Sequence, residues 1–215
     1  MQQRACAASV MDRCGLMRRV VQLVLSCVVL GVGIALLLGA ALGSDGYSTL
    51  VNGLTLSSGW PFWVVNIVVS LLLVATAWAR GSRPGLGTIV QPVVVGVTVS
   101  LVLAVLPATT DDALRFAELG LAFVLVAIGV AGYLATDLGA GPTEAVALAW
   151  DPPVPFRWSY TVVQVGGALV GWLLGGAVGP GTLLVVLLIG PTVDLFLRFV
   201  FRREGTPPLA DQRSA

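Results

Sequence analysis

The sequence contains no lysine and no histidine, so all 12 of its basic residues are arginines. These two absences exclude several classes of site by residue type. A phosphate-binding GxxxxGK loop and a Schiff-base enzyme need lysine, whereas a histidine-ligated zinc site and a Ser–His hydrolase need histidine. Any chemistry inside this protein must therefore use carboxylates, hydroxyls, amides, arginine or cysteine.

Charged residues of every kind are also scarce, at 11% of 215 residues, against 57% hydrophobic residues. Soluble domains usually carry about a quarter charged residues. A chain of this size cannot hide so much apolar surface from water, because surface is large relative to volume in small proteins. We therefore interpret the chain as an integral membrane protein whose first partner is the lipid bilayer. The net charge of +1 argues against a nucleic-acid partner, which needs a basic face.

Cysteine is limited to Cys6, Cys14 and Cys27, and their spacing matches neither a metal site nor a disulfide framework. We expect no metal and no cofactor. An enzyme is the least favoured class, since no second carboxylate stands opposite Asp194 at matching depth in the membrane. We accordingly assign no catalytic residues.

Six apolar runs follow one another along the chain, each close to the ~20 residues that a helix needs to cross ~30 Å of hydrocarbon. The runs are continuous rather than alternating, which favours helices over a barrel. We predict an all-α membrane protein with six transmembrane helices at 20–42, 61–79, 86–107, 113–136, 158–178 and 181–201. Residues 1–19 are predicted to be a cytoplasmic arm and residues 203–215 a disordered cytoplasmic tail.

Arginine placement predicts the orientation, because cytoplasmic segments of membrane proteins carry an excess of positive charge. With a cytoplasmic N-terminus, eleven of the 12 arginines fall on cytoplasmic segments. The exception is Arg115, which stands beside Asp111 and Asp112. We therefore expect a multi-pass protein of the bacterial inner (plasma) membrane with both termini in the cytoplasm.

Two similar units make up the membrane part. A GxGT motif at 85–88 returns at 179–182, and each copy leads through an apolar run to a G-x-T-V-(S/D) motif. The repeated positions include Gly85, Gly87, Thr88 and Gly96 in the first half and Gly179, Gly181, Thr182 and Gly190 in the second. Chance explains isolated Val and Leu matches, but not aligned Trp, Gly, Pro and Thr. Each unit holds three spans, an odd number, so we predict two inverted three-helix repeats, 20–107 and 108–202, as in many secondary transporters.

The GxGT motifs have two interpretations. Most simply they start helices, with the threonine as an N-cap or first-turn hydroxyl. Their exposed amides and the helix dipole could also hold an anion.

The order of these motifs, with a Leu-Gly-x-Gly-Pro turn at 138–142, resembles the YczE-like bacterial membrane proteins, which are distantly related to YitT-like proteins. The resemblance covers about residues 19–201. It implies this architecture and a membrane location, but no substrate, because the family is biochemically uncharacterised. The chain departs from the family pattern in the first turn. The sequence of this turn in YczE-like proteins usually resembles Gly-Pro-Trp-Asp, whereas this chain has Asp45-Gly46-Tyr47-Ser48.

Two segments at matching places interrupt the spans with glycine and proline, and such interruptions are the best pointer to a transporter site. The first, 43–59, contains Asp45 and Tyr47, and the second, 139–158, contains Glu144. One interpretation is a short re-entrant helix that forms a site. The other is an ordinary interfacial helix anchored by nearby tryptophans.

Asp194 is a further candidate, since an acid well inside the last predicted span is costly and suggests a function. Arg198 follows at the i, i+4 spacing at which side chains meet on a helix. The two residues form either a structural ion pair that lets Arg198 reach the cytoplasmic face, or a proton or cation site at Asp194.

Three functions remain open from the sequence. The first is a small secondary transporter or permease, either monomeric or a homodimer. In this function Asp194 and Glu144 bind a proton or cation, and a small solute is contacted by Asp45, Tyr47 and Asn66. The second is a substrate-capturing subunit of an ATP-driven importer. The third is a non-transporting accessory or regulatory membrane protein, for which a dry interior is expected.

Overall fold

A computed structural model of the chain describes the backbone of residues 2–106, 111–151 and 153–199, and the side chains of these ranges from residue 15 onward except those of 157, 198 and 199. This described part is all-α. Its eight helices are α1 (Gln2–Ala40), α2 (Gly46–Ser58), α3 (Phe62–Ala79), α4 (Leu86–Val105), α5 (Asp112–Leu134), α6 (Pro142–Ala149), α7 (Phe156–Leu173) and α8 (Pro180–Phe199). Helix α1 runs through most of the predicted arm, and the predicted tail at 203–215 lies outside the described residues.

Five of the described helices are long and apolar enough to cross a membrane, which makes this a multi-pass membrane protein. They are α1 within Gly15–Ala40, α3, α4, α5 and α8. The remaining predicted span coincides with α7, which is less apolar because its first half carries Arg157, Ser159, Tyr160, Thr161 and Gln164. That sixth span stays a prediction.

Helices α2 and α6 are too short to span, at 13 and 8 residues. Asp45 caps α2, since its carboxylate accepts the backbone N–H of Ser48 at 3.0 Å, and Gly59 ends the helix in the left-handed conformation with φ 73°. Helix α6 starts with Pro142 in its first turn, where a missing N–H costs nothing. Local sequence thus sets both boundaries of α2 and the start of α6.

Helices α1 and α5 form the centre of the core and approach each other closely. A Cβ on Gly129 of α5 would lie 2.7 Å from the backbone nitrogen of Leu30, so only glycine allows this contact. Leu23, Cys27 and Leu30 of α1 are buried at the same interface. Helix α4 also packs on α1, and α8 packs on α5.

Each short helix packs on a long helix from the other half of the chain: α2 on α7, and α6 on α3. Gly46, at the start of α2, lies against Gln164 in the middle of α7, and Gly53 lies against Gly171 farther along both helices. Helix α2 therefore begins beside the middle of α7 and runs alongside it.

Two turns also form hydrogen bonds with the other half of the chain, and we call them the exchanged turns. The carbonyl of Leu42 accepts the N–H of Gly181 at 2.9 Å, and the carbonyl of Leu138 accepts the N–H of Gly87 at 2.8 Å. The next residues, Gly43 and Gly139, have φ of 101° and 132°, which favour glycine. The GxGT motifs thus start α4 and α8 beside a turn from the opposite half.

Candidate functional site

A cavity of about 170 Å³ lies where α2, α3, α4, α6 and α7 meet the central helices. Its lining combines apolar and polar side chains. The apolar side chains come mainly from α1, α5 and α8, as Leu30, Ile34, Val126, Val130, Val185 and Ile189. The polar side is built around the starts of the two short helices.

Asp45 lines the cavity at the start of α2. Burial raises the pKa of its carboxyl, although the hydrogen bonds from Ser48 act in the opposite direction. The same side chain therefore stabilises the start of a helix and offers a carboxylate to the cavity.

Glu144 lines the cavity from the first turn of α6. Its carboxylate accepts hydrogen bonds from the Tyr133 hydroxyl at 3.2 Å and from the Thr143 hydroxyl at 2.9 Å. Burial raises the pKa of Glu144, and the charge of Asp45 raises it further. Both carboxylates line the same cavity.

A hydrogen-bond network joins α2, α3 and α7 on the polar side. The Tyr47 hydroxyl donates to Asn66 Oδ1 at 2.8 Å and lies 2.6 Å from the Ser70 hydroxyl. The Tyr47 N–H donates to Gln164 Oε1 at 3.1 Å, and Gln164 Nε2 donates to the Tyr160 hydroxyl at 2.8 Å. This network fixes the direction in which Tyr47 faces the cavity.

The amide of Gln91 on α4 also reaches the polar side. A Cβ on Gly141 would lie 2.5 Å from Glu144 Oε2 and 3.1 Å from Gln91 Oε1, so both oxygens border the same glycine. Gln91 Oε1 is buried and has no hydrogen-bond partner. An acceptor of this kind is costly to bury.

Four of the five binding residues predicted from sequence line this cavity: Asp45, Tyr47, Asn66 and Glu144. Asp194 lies on α8 and is not among the lining residues. The predicted ion pair with Arg198 stays a prediction, because the Arg198 side chain lies outside the described residues.

The repeated glycine positions also differ in their surroundings. The two GxGT motifs lie at the exchanged turns rather than in the cavity. Gly96 packs against Asn66, whereas its equivalent Gly190 is exposed and has open space around it.

The cavity is also lined by Tyr133, Tyr160, Gln91, Gln164 and Ser70, which the sequence did not single out as candidates. Polar side chains within apolar helices were the available signal for them. Within the described residues, no three potential metal-ligand side chains come together. The groups that line the site are two carboxylates, hydroxyls and amides, which can exchange protons, form hydrogen bonds and recognise charge.

Comparison with known proteins gives relatives of similar length. An uncharacterized protein of Haemophilus influenzae is 29% identical over 188 residues, covering 83% of each chain. The uncharacterized membrane protein YczE of Bacillus subtilis is 26% identical over 176 residues, covering 80% of each chain. The uncharacterized protein YyaS of Bacillus subtilis is 26% identical over 180 residues, covering 81% of this chain and 90% of its own.

No solved structure matches the chain significantly. A family described as a family of unknown function, DUF6198, matches residues 17–198, which is most of the chain. The similarity to a protein described as a membrane protein agrees with the apolar helices of this fold. The protein belongs to the DUF6198 family.

Proposed function

We propose that this protein is a small proton-coupled secondary transporter of the plasma membrane, with its site in the cavity that contains Asp45 and Glu144. One observation carries the proposal. Each half of the chain brings one carboxylate to the same cavity, at the start of a helix too short to span. Interrupted helices that meet at a shared polar site are typical of secondary transporters.

The proposed architecture is six spans in two inverted repeats, 20–107 and 108–202, with α7 as the fifth span. The exchanged contacts support it. Helix α2 packs on α7 as α6 packs on α3, and the Leu42–Gly181 hydrogen bond has its counterpart between Leu138 and Gly87. Two units that hold each other reciprocally can rock about a common site and open it to one side at a time.

The carboxylates supply the coupling in this mechanism. A buried carboxylate without a counter-charge favours the protonated form, because water no longer solvates its charge. When the cavity opens to a side of higher pH, Glu144 and Asp45 lose protons and gain affinity for a solute that compensates their charge. Reorientation returns the site to the other side, where a proton displaces the solute.

This polar cavity weighs against an accessory protein with a dry interior, and nothing in the described contacts favours an importer subunit specifically. We further propose that the protein is not an enzyme, because its acceptors and carboxylates suit binding and proton exchange.

Alternating access has a direct test in single-cysteine labelling. Val185 of α8 lines the cavity and is buried, whereas Leu187 of the same helix is exposed on the outer face of the bundle. In a background with all three native cysteines replaced, Val185→Cys should react with a membrane-impermeant thiol reagent in both right-side-out and inside-out vesicles. Leu187→Cys, which faces lipid in this proposal, should react in neither.

Labelling of Val185→Cys from one side only, or from neither, would refute alternating access at this cavity. The orientation can be tested in the same vesicles. Cysteines at Asp112 and Gly179 should react from outside, and a cysteine at Arg83 should react only from the cytoplasmic side. The reverse pattern would overturn the assignment of both termini to the cytoplasm.

A further inference from the structure

We propose that the solute of this cavity is a small organic cation, an amine or quaternary ammonium whose apolar body is about the size of one ring. The inference rests on the proposed transport function and names the substrate class of its site. It is drawn from the size of the cavity, the sign of its charges, and the presence of both aliphatic and polar side chains in its lining.

The size of the cavity limits the solute to a small molecule. A volume of about 170 Å³ is comparable to that of an engineered apolar protein cavity of about 150 Å³ that holds benzene. The aliphatic side chains of α1, α5 and α8, among them Leu30, Val130 and Val185, supply an apolar surface for such a ring. A sugar or a nucleotide would leave its many hydroxyl groups unpaired against that surface.

The charge of the lining has one sign. Asp45 and Glu144 line the cavity, and no arginine lies among its described lining residues. Two arginines elsewhere have other partners: Arg115 contacts Asp112 at 3.2 Å, and Arg80 lies 4.5 Å from the centre of the Trp150 ring. Buried carboxylates need a proton or a cation beside them, so an organic cation and protons compete for the same place.

The polar side also provides groups that recognise an ammonium. Gln91 Oε1 is a buried acceptor without a partner, bordering the same glycine as the Glu144 carboxylate. The rings of Tyr47, Tyr133 and Tyr160 line the same side, and aromatic faces attract cations. An ammonium group beside Glu144 and a ring against the aliphatic side chains would satisfy both sides at once.

Three ligands of equal size and different charge test this assignment: benzylammonium, benzyl alcohol and benzoate. Their binding to the purified full-length protein in detergent is measured by calorimetry near neutral pH, with empty micelles as the blank. We expect benzylammonium to bind at least about tenfold more tightly than benzyl alcohol, because a hydrogen bond between charged groups contributes more free energy of binding than one between neutral groups. Benzoate should show no binding. Equal binding of the alcohol, tighter binding of benzoate, or no binding of any ligand overturns the proposal.

Variants test the location of the site. Glu144→Gln and Asp45→Asn keep side-chain size but remove the charge, and each should weaken benzylammonium binding at least about tenfold. Asp112→Asn removes a surface carboxylate far along the chain from the cavity and should leave binding unchanged. Unchanged binding in both cavity variants would overturn the assignment. The ligand series in the wild type decides the proposal even if a cavity variant fails to fold.

Exchange with protons is measured in proteoliposomes with a pH dye inside and the membrane potential clamped. Benzyltrimethylammonium is the probe, because its permanent charge prevents it from crossing lipid as a neutral amine. Its inward gradient should raise the internal pH in wild-type vesicles and not in Glu144→Gln vesicles; no change in wild-type vesicles contradicts exchange. If Val185→Cys is labelled from both sides but no cation binds, the transporter proposal stands and the cation proposal fails.

Discussion

Replacing Gly171 with alanine tests how closely α2 is held against α7. A Cβ at this position would lie 2.6 Å from the backbone nitrogen of Leu50 and still closer to the carbonyl of Thr49. These distances are about 1 Å shorter than ordinary van der Waals contact. The opposing atoms belong to backbone, so no change of rotamer relieves the clash, and α2 must move away from α7.

The expected cost follows from two opposing effects. Forcing an extra carbon into a well-packed interface costs about 1–3 kcal/mol, and backbone on the opposing side puts this contact at the upper end. Alanine is favoured over glycine in a helix by about 1 kcal/mol, which offsets part of the cost. We expect a net loss of about 2 kcal/mol in the free energy of unfolding, or roughly 4–8 °C in Tm for a chain of this length.

Cys27 provides the assay, because it is a buried free cysteine in the core of α1. With Cys6 and Cys14 replaced by serine, a thiol-reactive dye reports the exposure of Cys27 as the protein unfolds in detergent. Gly166→Ala is the matched control, since Gly166 lies on the same helix and a Cβ there meets no atom within 4 Å. Equal Tm values for the two variants would refute the close packing of α2 on α7.

Three further predictions concern the site and its turns. Tyr47→Phe should lower stability by about 1–3 kcal/mol in the same assay, because the partners of its hydroxyl on α3 stay buried; an unchanged Tm contradicts the network. Burial raises the pKa of Asp45 and Glu144, so their stabilising effect is full below the ordinary carboxyl pKa of about 4 and is lost as pH rises through the raised value. We therefore expect the Tm of the wild type, measured by circular dichroism, to fall as the pH rises through this range. The Tm of the Asp45→Asn, Glu144→Gln double variant should fall less, and an equal decrease in Tm for both proteins would contradict this prediction. Gly139→Ala should destabilise more than Gly81→Ala, since both glycines have positive φ but only Gly139 has backbone 3.0 Å from an added Cβ; equal thermal shifts would contradict the contact.

The long helices were predictable because hydrocarbon imposes a simple requirement on sequence. A run of about twenty apolar residues marks a span wherever it occurs, and the predicted run at 113–136 corresponds to α5 at Asp112–Leu134. Helix α7 shows the limit of this rule. Its apolarity is lowered by Arg157 and also by Tyr160 and Gln164, which line the cavity, so some residues of the site weaken the signal for the helix that carries them.

The candidate site was only partly predictable from sequence. Glycine and proline singled out the segments 43–59 and 139–158, and Asp45, Tyr47 and Glu144 from these segments line one cavity. Their neighbours could not be foreseen in the same way, because α2 packs on a helix of the other half of the chain. The contact between Tyr47 and Gln164 joins residues 117 positions apart, and no local pattern encodes that pairing.

The two carboxylates of the cavity occupy different positions in their short helices, and this difference affects what protonation of each one does. Asp45 is the N-cap of α2, whereas the N-cap of α6 is Gly141, which has no side chain. Glu144 stands three residues farther on and accepts hydrogen bonds from its own backbone N–H and from two hydroxyl groups. Protonating Asp45 weakens the cap of α2, an interaction worth about 1 kcal/mol. Protonating Glu144 also weakens its bond with its own backbone N–H in the first turn of α6, but its hydroxyl partners can accept as well as donate and stay bonded to the protonated form. In the proposed cycle, Glu144 therefore suits the exchange of proton for solute, and Asp45 suits the coupling of protonation to the position of α2.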